Sequence, residues 1–206
     1  IIGYVELMMD LDDDAISAPA RRMLEVIERN ASRELRLVND LLDLSSIDVT
    51  TVEEPQRVSL GSVARSCAEG AGVAALTKSV PVSVQVPPGL VVEGDPQRLA
   101  QGVDNLVGNA VKFVAAGVEP HVVVGGRLDG PEVTVTVTDN GIGIPVGMRE
   151  QVFQRFERVP GTGLGGTGMG LSICRTIVQR HGGAIRVDDG PEGVGTRFSV
   201  RLPAAA

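Results

Sequence analysis

Between Gly161 and Gly170 six of ten residues are glycine, and the run passes without a break into Leu171-Ser172-Ile173-Cys174-Arg175-Thr176-Ile177-Val178. No helix or strand interior tolerates that density, because glycine loses more conformational freedom on ordering than any other residue. The segment must therefore be an irregular loop that feeds the first turn of a helix. There, unpaired backbone N–H groups and the positive end of the helix dipole face outward, which makes a cradle for an anion, above all a phosphate. The run does not end in the Gly-Lys-Ser/Thr of a P-loop, and no strand precedes it as a dinucleotide-binding turn requires. A different way of holding phosphate is implied.

Two further segments bear on what that phosphate belongs to. Val133-Thr134-Val135-Thr136-Val137-Thr138 alternates as a half-buried strand and breaks into Asp139-Asn140-Gly141-Ile142-Gly143-Ile144-Pro145. A carboxylate at a strand end accepts a hydrogen bond from an exocyclic amine such as adenine's, and the two glycines let backbone approach a flat ring closely. Guanine carries no amine at that position. Upstream, a helix predicted over 96–115 carries Asn105, Asn109 and Lys112 at i, i+4 and i+7, on one face. An amide oxygen suits Mg²⁺, which keeps several waters and draws most other ligands from substrate phosphates. Lys112 can reach a phosphate as a point charge.

The rest of the chain supplies the frame. Residues 1–9 read as helix, the run Asp10-Leu11-Asp12-Asp13-Asp14 as its exit, and Ser17-Ala18-Pro19 as the start of a second helix reaching about Ile47. Along it Leu24, Ile27, Ala31, Leu35, Val38 and Leu42 recur every three or four positions, a seam for another helix. Two helices cannot bury such stripes alone, so pairing with a second copy into a four-helix bundle is the expected solution, against a hairpin packed on its own C-terminal domain. Thr50–Ser59, with Pro55, reads as a linker, after which helices over 60–76 and 168–181 alternate with strands over 82–86, 122–128, 133–138, 184–188 and 196–202. The expected fold class is α+β: residues 1–49 a helical hairpin, 50–58 a linker, and 59–206 an α/β sandwich with a mixed sheet.

Composition narrows the partners. A net charge of −7 and no basic stripe exclude a nucleic-acid surface. No window reaches the ~18 uninterrupted apolar residues of a membrane span. The chain reads as a cytoplasmic fragment of a longer protein, attached to a membrane, if at all, through a segment upstream of Ile1. Cys67 and Cys174 lack metal-ligand spacing and read as reduced core thiols.

Taken in order, Asn105/Asn109 with Lys112, Asp139-x-Gly141-x-Gly143, Phe153-Gln154-Arg155-Phe156, Gly166-Thr167-Gly168-Met169-Gly170-Leu171 and Gly193-Val194-Gly195-Thr196 resemble the N, G1, F, G2 and G3 boxes of sensor histidine kinases. These belong to the GHKL ATPase superfamily with its Bergerat-type ATP site, and the resemblance covers about residues 58–203. Glu28-Arg29-Asn30 through Leu41-Leu42-Asp43-Leu44-Ser45 is similar to the second helix of the family's dimerisation and phosphotransfer domain, and Ile1-Ile2-Gly3-Tyr4 resembles the segment just after the phosphoacceptor histidine. The resemblance implies ATP and Mg²⁺ as cofactors and nucleotide contacts from Asn105, Asn109, Lys112, Asp139, Gly141, Gly143, Ile144, Arg158, Gly166, Thr167, Gly168, Met169, Gly170, Leu171 and Thr196. Asn109 would be the metal ligand, Asp139 the adenine reader, Lys112 and Arg158 the phosphate contacts, and 153–167 a mobile lid. It further implies a homodimer through the N-terminal helices, a phosphoacceptor histidine upstream of Ile1, and onward transfer to an aspartate of a response-regulator receiver domain. His121 and His181 then have structural roles.

Three other readings belong to the same superfamily. In its hydrolases, such as gyrase B, a glutamate one turn before the metal-binding asparagine activates water; the superfamily's serine kinases likewise need that glutamate, and they lack the helical hairpin. Here that position is Asn105, whose amide has no basicity near neutral pH. A non-catalytic dimerisation module is the third, and intact nucleotide motifs weigh against it.

Overall fold

The structure, a computed structural model, describes residues 1–11, 16–49, 55–71, 75, 80–160 and 166–205. Helices α1 (Ile2–Met9) and α2 (Ala18–Val49) form an N-terminal hairpin. The Ser17 hydroxyl accepts the Ala20 N–H at 3.4 Å, and Pro19 sits in the first turn, where its missing N–H costs nothing. The Arg21 guanidinium donates to the carbonyls of Met9 (3.0 Å) and Leu11 (3.3 Å), tying the start of α2 to the exit of α1. Of the aspartate-rich exit, residues 12–14 lie outside the described residues. Val5 and Leu24 are buried, whereas Tyr4, Leu7, Ile27, Leu35, Val38 and Leu42 remain 44% to 79% exposed. The expected seam is thus largely uncovered by this chain itself.

One part of the hairpin does pack on its own chain. Leu44 of α2 is buried with Met169, Ile173 and Ile177, and Leu37 packs against the same group. The packing that the sequence reading ranked second therefore coexists with an open stripe.

The second half is a five-stranded mixed sheet with helices on one face. Strands β2 (Val82–Gln85), β4 (Val122–Asp129), β5 (Glu132–Asp139), β6 (Ala184–Asp189) and β7 (Thr196–Pro203) lie in the order β2-β4-β5-β7-β6, with β2 and β4 parallel and the other pairs antiparallel. Helices α3 (Leu60–Gly70), α4 (Pro96–Lys112) and α5 (Gly170–Arg180) cover it. Val107, Val124 and Val137 are fully buried where α4 meets β4 and β5. Each such valine contributes roughly 1.5–3 kcal/mol by leaving water. Cys67 and Cys174 are buried and unpaired, and burial pushes both thiols up to about 12, so neither is a nucleophile near neutral pH. Among the described residues, no helix is long and apolar enough to cross a membrane.

Two elements depart from the expected string. Residues 56–59, read as the end of the linker, form strand β1 (Gln56–Ser59), antiparallel to β3 (Val91–Gly94) in a small second sheet. Both strands have four residues, too few for alternation to stand out, and only their mutual hydrogen bonding makes them strands. Helix α3 is described only to Gly70, and most of residues 72–79 lies outside the described residues.

The position of α4 decides where the site lies, and three residues fix its start. Asp95 caps the helix, its carboxylate accepting from the N–H groups of Gln97 (2.8 Å) and Arg98 (3.1 Å). Its own N–H donates to His181 Nε2 at 3.0 Å, while His181 Nδ1–H donates to the Ile177 carbonyl at 2.8 Å. The imidazole thus bolts the first turn of α4 to the last turn of α5, which bears out the structural role expected of His181. Gly94 leaves room for the ring: a Cβ there would stand 2.6 Å from Nε2. Gly94→Ala is expected to destabilise the chain by about 1–3 kcal/mol through overpacking, read as a lower midpoint in urea unfolding.

Candidate nucleotide-binding site

The loop ends and one face of α4 enclose a cavity of about 550 Å³. Its floor is Asp139, the last residue of β5, which is 5% exposed. The carboxylate is held, not free: Oδ1 accepts the N–H of Gly141 at 2.8 Å and the N–H of Thr196, its ladder partner on β7, at 3.2 Å. Both donors come from glycine-punctuated turns. Gly195 lies at φ +73°, and a Cβ on it would strike the Asp139 carbonyl, so only glycine lets the β7 turn close over the strand end. Gly141 is packed against the Phe113 carbonyl at the end of α4 in the same way. Asn140 braces the approach, its amide accepting from the His121 N–H (2.9 Å) and donating to the Glu119 carbonyl (2.8 Å).

Around Asp139 the wall is apolar, built from Ile142, Gly143, Ile144, Val152 and Phe198. At the other end stand Asn105, Asn109 and Lys112 of α4, Arg158, and Gly166, Thr167, Gly168 and Gly170 before the first turn of α5. Gly170 brings α5 against α4, since a Cβ there would sit 3.1 Å from Asn105 Oδ1. A Cβ on Gly166 would sit 2.6 Å from Lys112 Nζ, so the loop crosses directly over the lysine. The lining thus joins a buried carboxylate among apolar side chains to asparagine amides, cationic side chains and a glycine-rich turn into α5. That combination matches a molecule carrying both an amine-bearing ring and phosphates.

A family model described as "Histidine kinase-, DNA gyrase B-, and HSP90-like ATPase" matches residues 94–206, more than half of the chain. The chain belongs to that ATPase family. A second model, "His Kinase A (phospho-acceptor) domain", matches residues 1–50, the N-terminal hairpin. The sensor histidine kinase TmoS of Ectopseudomonas mendocina is 34% identical over all of this chain, which spans 21% of that protein's length. Full-length ShkA, solved in complex with AMPPNP, superposes over the whole chain with a TM-score of 0.77 and 27% identity, covering 43% of ShkA. The mycobacterial sensor histidine kinase MprB matches 73% of this chain and 97% of its own with a TM-score of 0.63 and 32% identity.

Within this histidine kinase fold, thirteen of the fifteen sequence-derived contacts line the cavity, and two do not. Gly141 is buried beneath it as a donor to Asp139. Met169 is fully buried beside Leu44, Ile173 and Ile177, facing α2 and not the cavity, because the turn into α5 carries its side chain to the opposite side from the Thr167 and Gly170 backbone. Residues 161–165 of the expected lid lie outside the described residues. Sequence reading missed Arg36, Asp40, Phe113, Ile142, Val152, Glu157, Val159 and Phe198. Ile142 and Val152 neighbour the recognised motifs, whereas no local pattern on α2 marks Arg36 or Asp40.

Burial raises the Asp139 carboxyl above its ordinary value, and the Gly141 and Thr196 N–H groups pull the other way without cancelling it. A raised acid favours the protonated fold: that stability is complete below the unfolded pKa and is lost as pH rises through the higher folded one. At neutral pH the ionised carboxylate therefore costs stability, as a ligand-reading group can. Asp139→Asn keeps an oxygen for both N–H donors and removes the buried charge. Its expected result is an apo melting temperature at or above wild type together with loss of ATP binding, checked by calorimetry and titration. In the wild-type chain, nucleotide affinity is expected to fall on acidification at a pH above the ordinary aspartate range.

Proposed function

We propose that this chain is the phosphoryl-donor part of a two-component sensor kinase, holding Mg²⁺-ATP for transfer of the γ-phosphoryl to a histidine and from there to a response-regulator aspartate. The observation that carries this reading is the single cavity in which Asp139, Asn109, Lys112 and the Gly166–Gly170 turn converge with Asn105 in the position where a hydrolase needs a base. Adenine would donate its amine to Asp139, and the phosphates would lie between Lys112, Arg158 and the first turn of α5. In transfer, an imidazole nitrogen forms a bond to the γ-phosphorus as the bond to the bridging oxygen breaks, and ADP leaves. Asn105 can orient and donate hydrogen bonds but cannot take a proton from water, which favours a side-chain acceptor.

The residues also fit a magnesium ion. Among the described residues, no three His, Cys, Asp or Glu side chains cluster as a metal cage, while the Asn109 amide lines the phosphate end. One neutral oxygen supplemented by water and phosphate is the donor set that Mg²⁺ prefers. The lining acids Asp40, Asp139 and Glu157 offset the lining cations Arg36, Lys112 and Arg158, so side chains alone do not neutralise a triphosphate. Held by Asn109, Mg²⁺ would supply that compensating charge.

The uncovered stripe of Ile27, Leu35, Val38 and Leu42 supports a homodimer through a four-helix bundle, with a linker between α2 and β1 separating it from the catalytic unit. Neither histidine lies on α1 or α2: His121 precedes β4, and His181 follows α5.

Incubation with γ-labelled ATP and Mg²⁺ tests the reading. The chain alone is expected to bind ATP, release phosphate only at the uncatalysed rate, and carry no acid-labile label, while a separately added hairpin bearing a phosphoacceptor histidine gains that label. Sustained phosphate release would mean a hydrolase, an acid-stable label a serine kinase, and absence of ATP binding a dimerisation module.

A further inference from the structure

The cavity has a wall that belongs to the hairpin. Arg36 and Asp40 of α2, one helical turn apart, line it together with the α4 and α5 residues. They are brought there by packing of the same helix: Leu37 and Leu44 sit against Met169, Ile173 and Ile177 of the α5 segment. Met169 directly precedes Gly170, so this contact sets α2 beside the glycine-rich turn into α5, the part of the lining suited to phosphate. Arg36 is exposed and Asp40 half-buried, and among the described residues no ion pair joins them to each other or to a third group. A guanidinium carries a planar fork of donors suited to phosphate oxygens, and holding one unpaired at the mouth of an anion site favours any polyphosphate that arrives.

We propose that Arg36 is a nucleotide-binding residue that contacts the polyphosphate from the helical hairpin, so that nucleotide occupancy and docking of α2 on α5 strengthen each other. This rests on the nucleotide reading above. Coupling is reciprocal by necessity: if docked α2 tightens nucleotide, nucleotide tightens docking by the same factor. The consequence is that a triphosphate holds the catalytic unit against the hairpin more firmly than a nucleoside does, and loss of phosphate loosens the contact.

The test is a double-mutant cycle on the full chain, with Arg36→Ala removing the contact and Leu44→Asp undocking α2, and with binding of AMPPNP, ADP and adenosine measured by titration calorimetry. Arg36→Ala is expected to weaken AMPPNP and ADP by about tenfold to a hundredfold, the scale of one charge-assisted hydrogen bond, and to leave adenosine unchanged. In the Leu44→Asp background the same change is expected to do nothing, because Arg36 is no longer at the cavity. Equal loss for adenosine would mark a structural role and overturn the proposal, as would an Arg36 effect that persists after undocking. Unchanged AMPPNP affinity in Arg36→Ala, with binding lost in Asn109→Asp, would overturn this inference and leave the site standing. Unchanged affinity in both would bring down the site reading itself.

Discussion

Everything in this catalytic unit is arranged around one buried carboxylate. Asp139 Oδ1 receives an N–H from the turn that follows its own strand and another from the strand beside it, so the side chain is fixed at the closing pair of the β5–β7 ladder. The two turns that deliver those donors come close only because Gly141 and Gly195 carry no side chain. Desolvation raises the carboxyl above its ordinary value, and the fold bears that cost in return for a rigid acceptor at the base of a cavity. An acceptor fixed by two backbone groups can discriminate between purine rings, since it cannot swing aside to accommodate a wrong one.

The phosphate end depends on a different constraint, the close approach of α4 and α5. His181 bolts the start of one helix to the end of the other, and the Cys174 thiol lies 3.3 Å from the Gly102 carbonyl midway between them. Helices that close set Asn105 against Gly170, so the polar face of α4 looks across the first turn of α5. The substitution that separates this site from a water-activating one is a single side chain. A carboxylate at position 105 could take a proton from water; the amide that stands there cannot, which is what the proposed transfer to an external nucleophile requires.

The motifs were legible because each has a local physical cause. Glycine density marks the irregular approach to α5 at 166–169, alternation makes β5, and the i, i+4, i+7 spacing puts Asn105, Asn109 and Lys112 on one side of a helix. What sequence could not supply was anything decided by distant pairing. Strands β1 and β3 exist only through each other, and Arg36 reaches the cavity only because Leu37 and Leu44 find Met169 and Ile173 far along the chain. Met169 illustrates the same limit within a motif: its neighbours line the cavity, but the turn aims its own side chain at α2. A family pattern locates a segment, whereas which atoms of it face the ligand is settled by packing.

In the proposed complex Asp139 reads the base while Asn109, Lys112 and the α5 turn hold the phosphates. A crystal structure of this chain with Mg²⁺ and a non-hydrolysable ATP analogue tests it most directly. The expected density places the adenine amine within hydrogen-bond distance of an Asp139 oxygen and the phosphates against Asn109, Lys112 and the backbone of Gly168–Gly170. An adenine ring lying away from Asp139, or phosphates held by other groups, would contradict it.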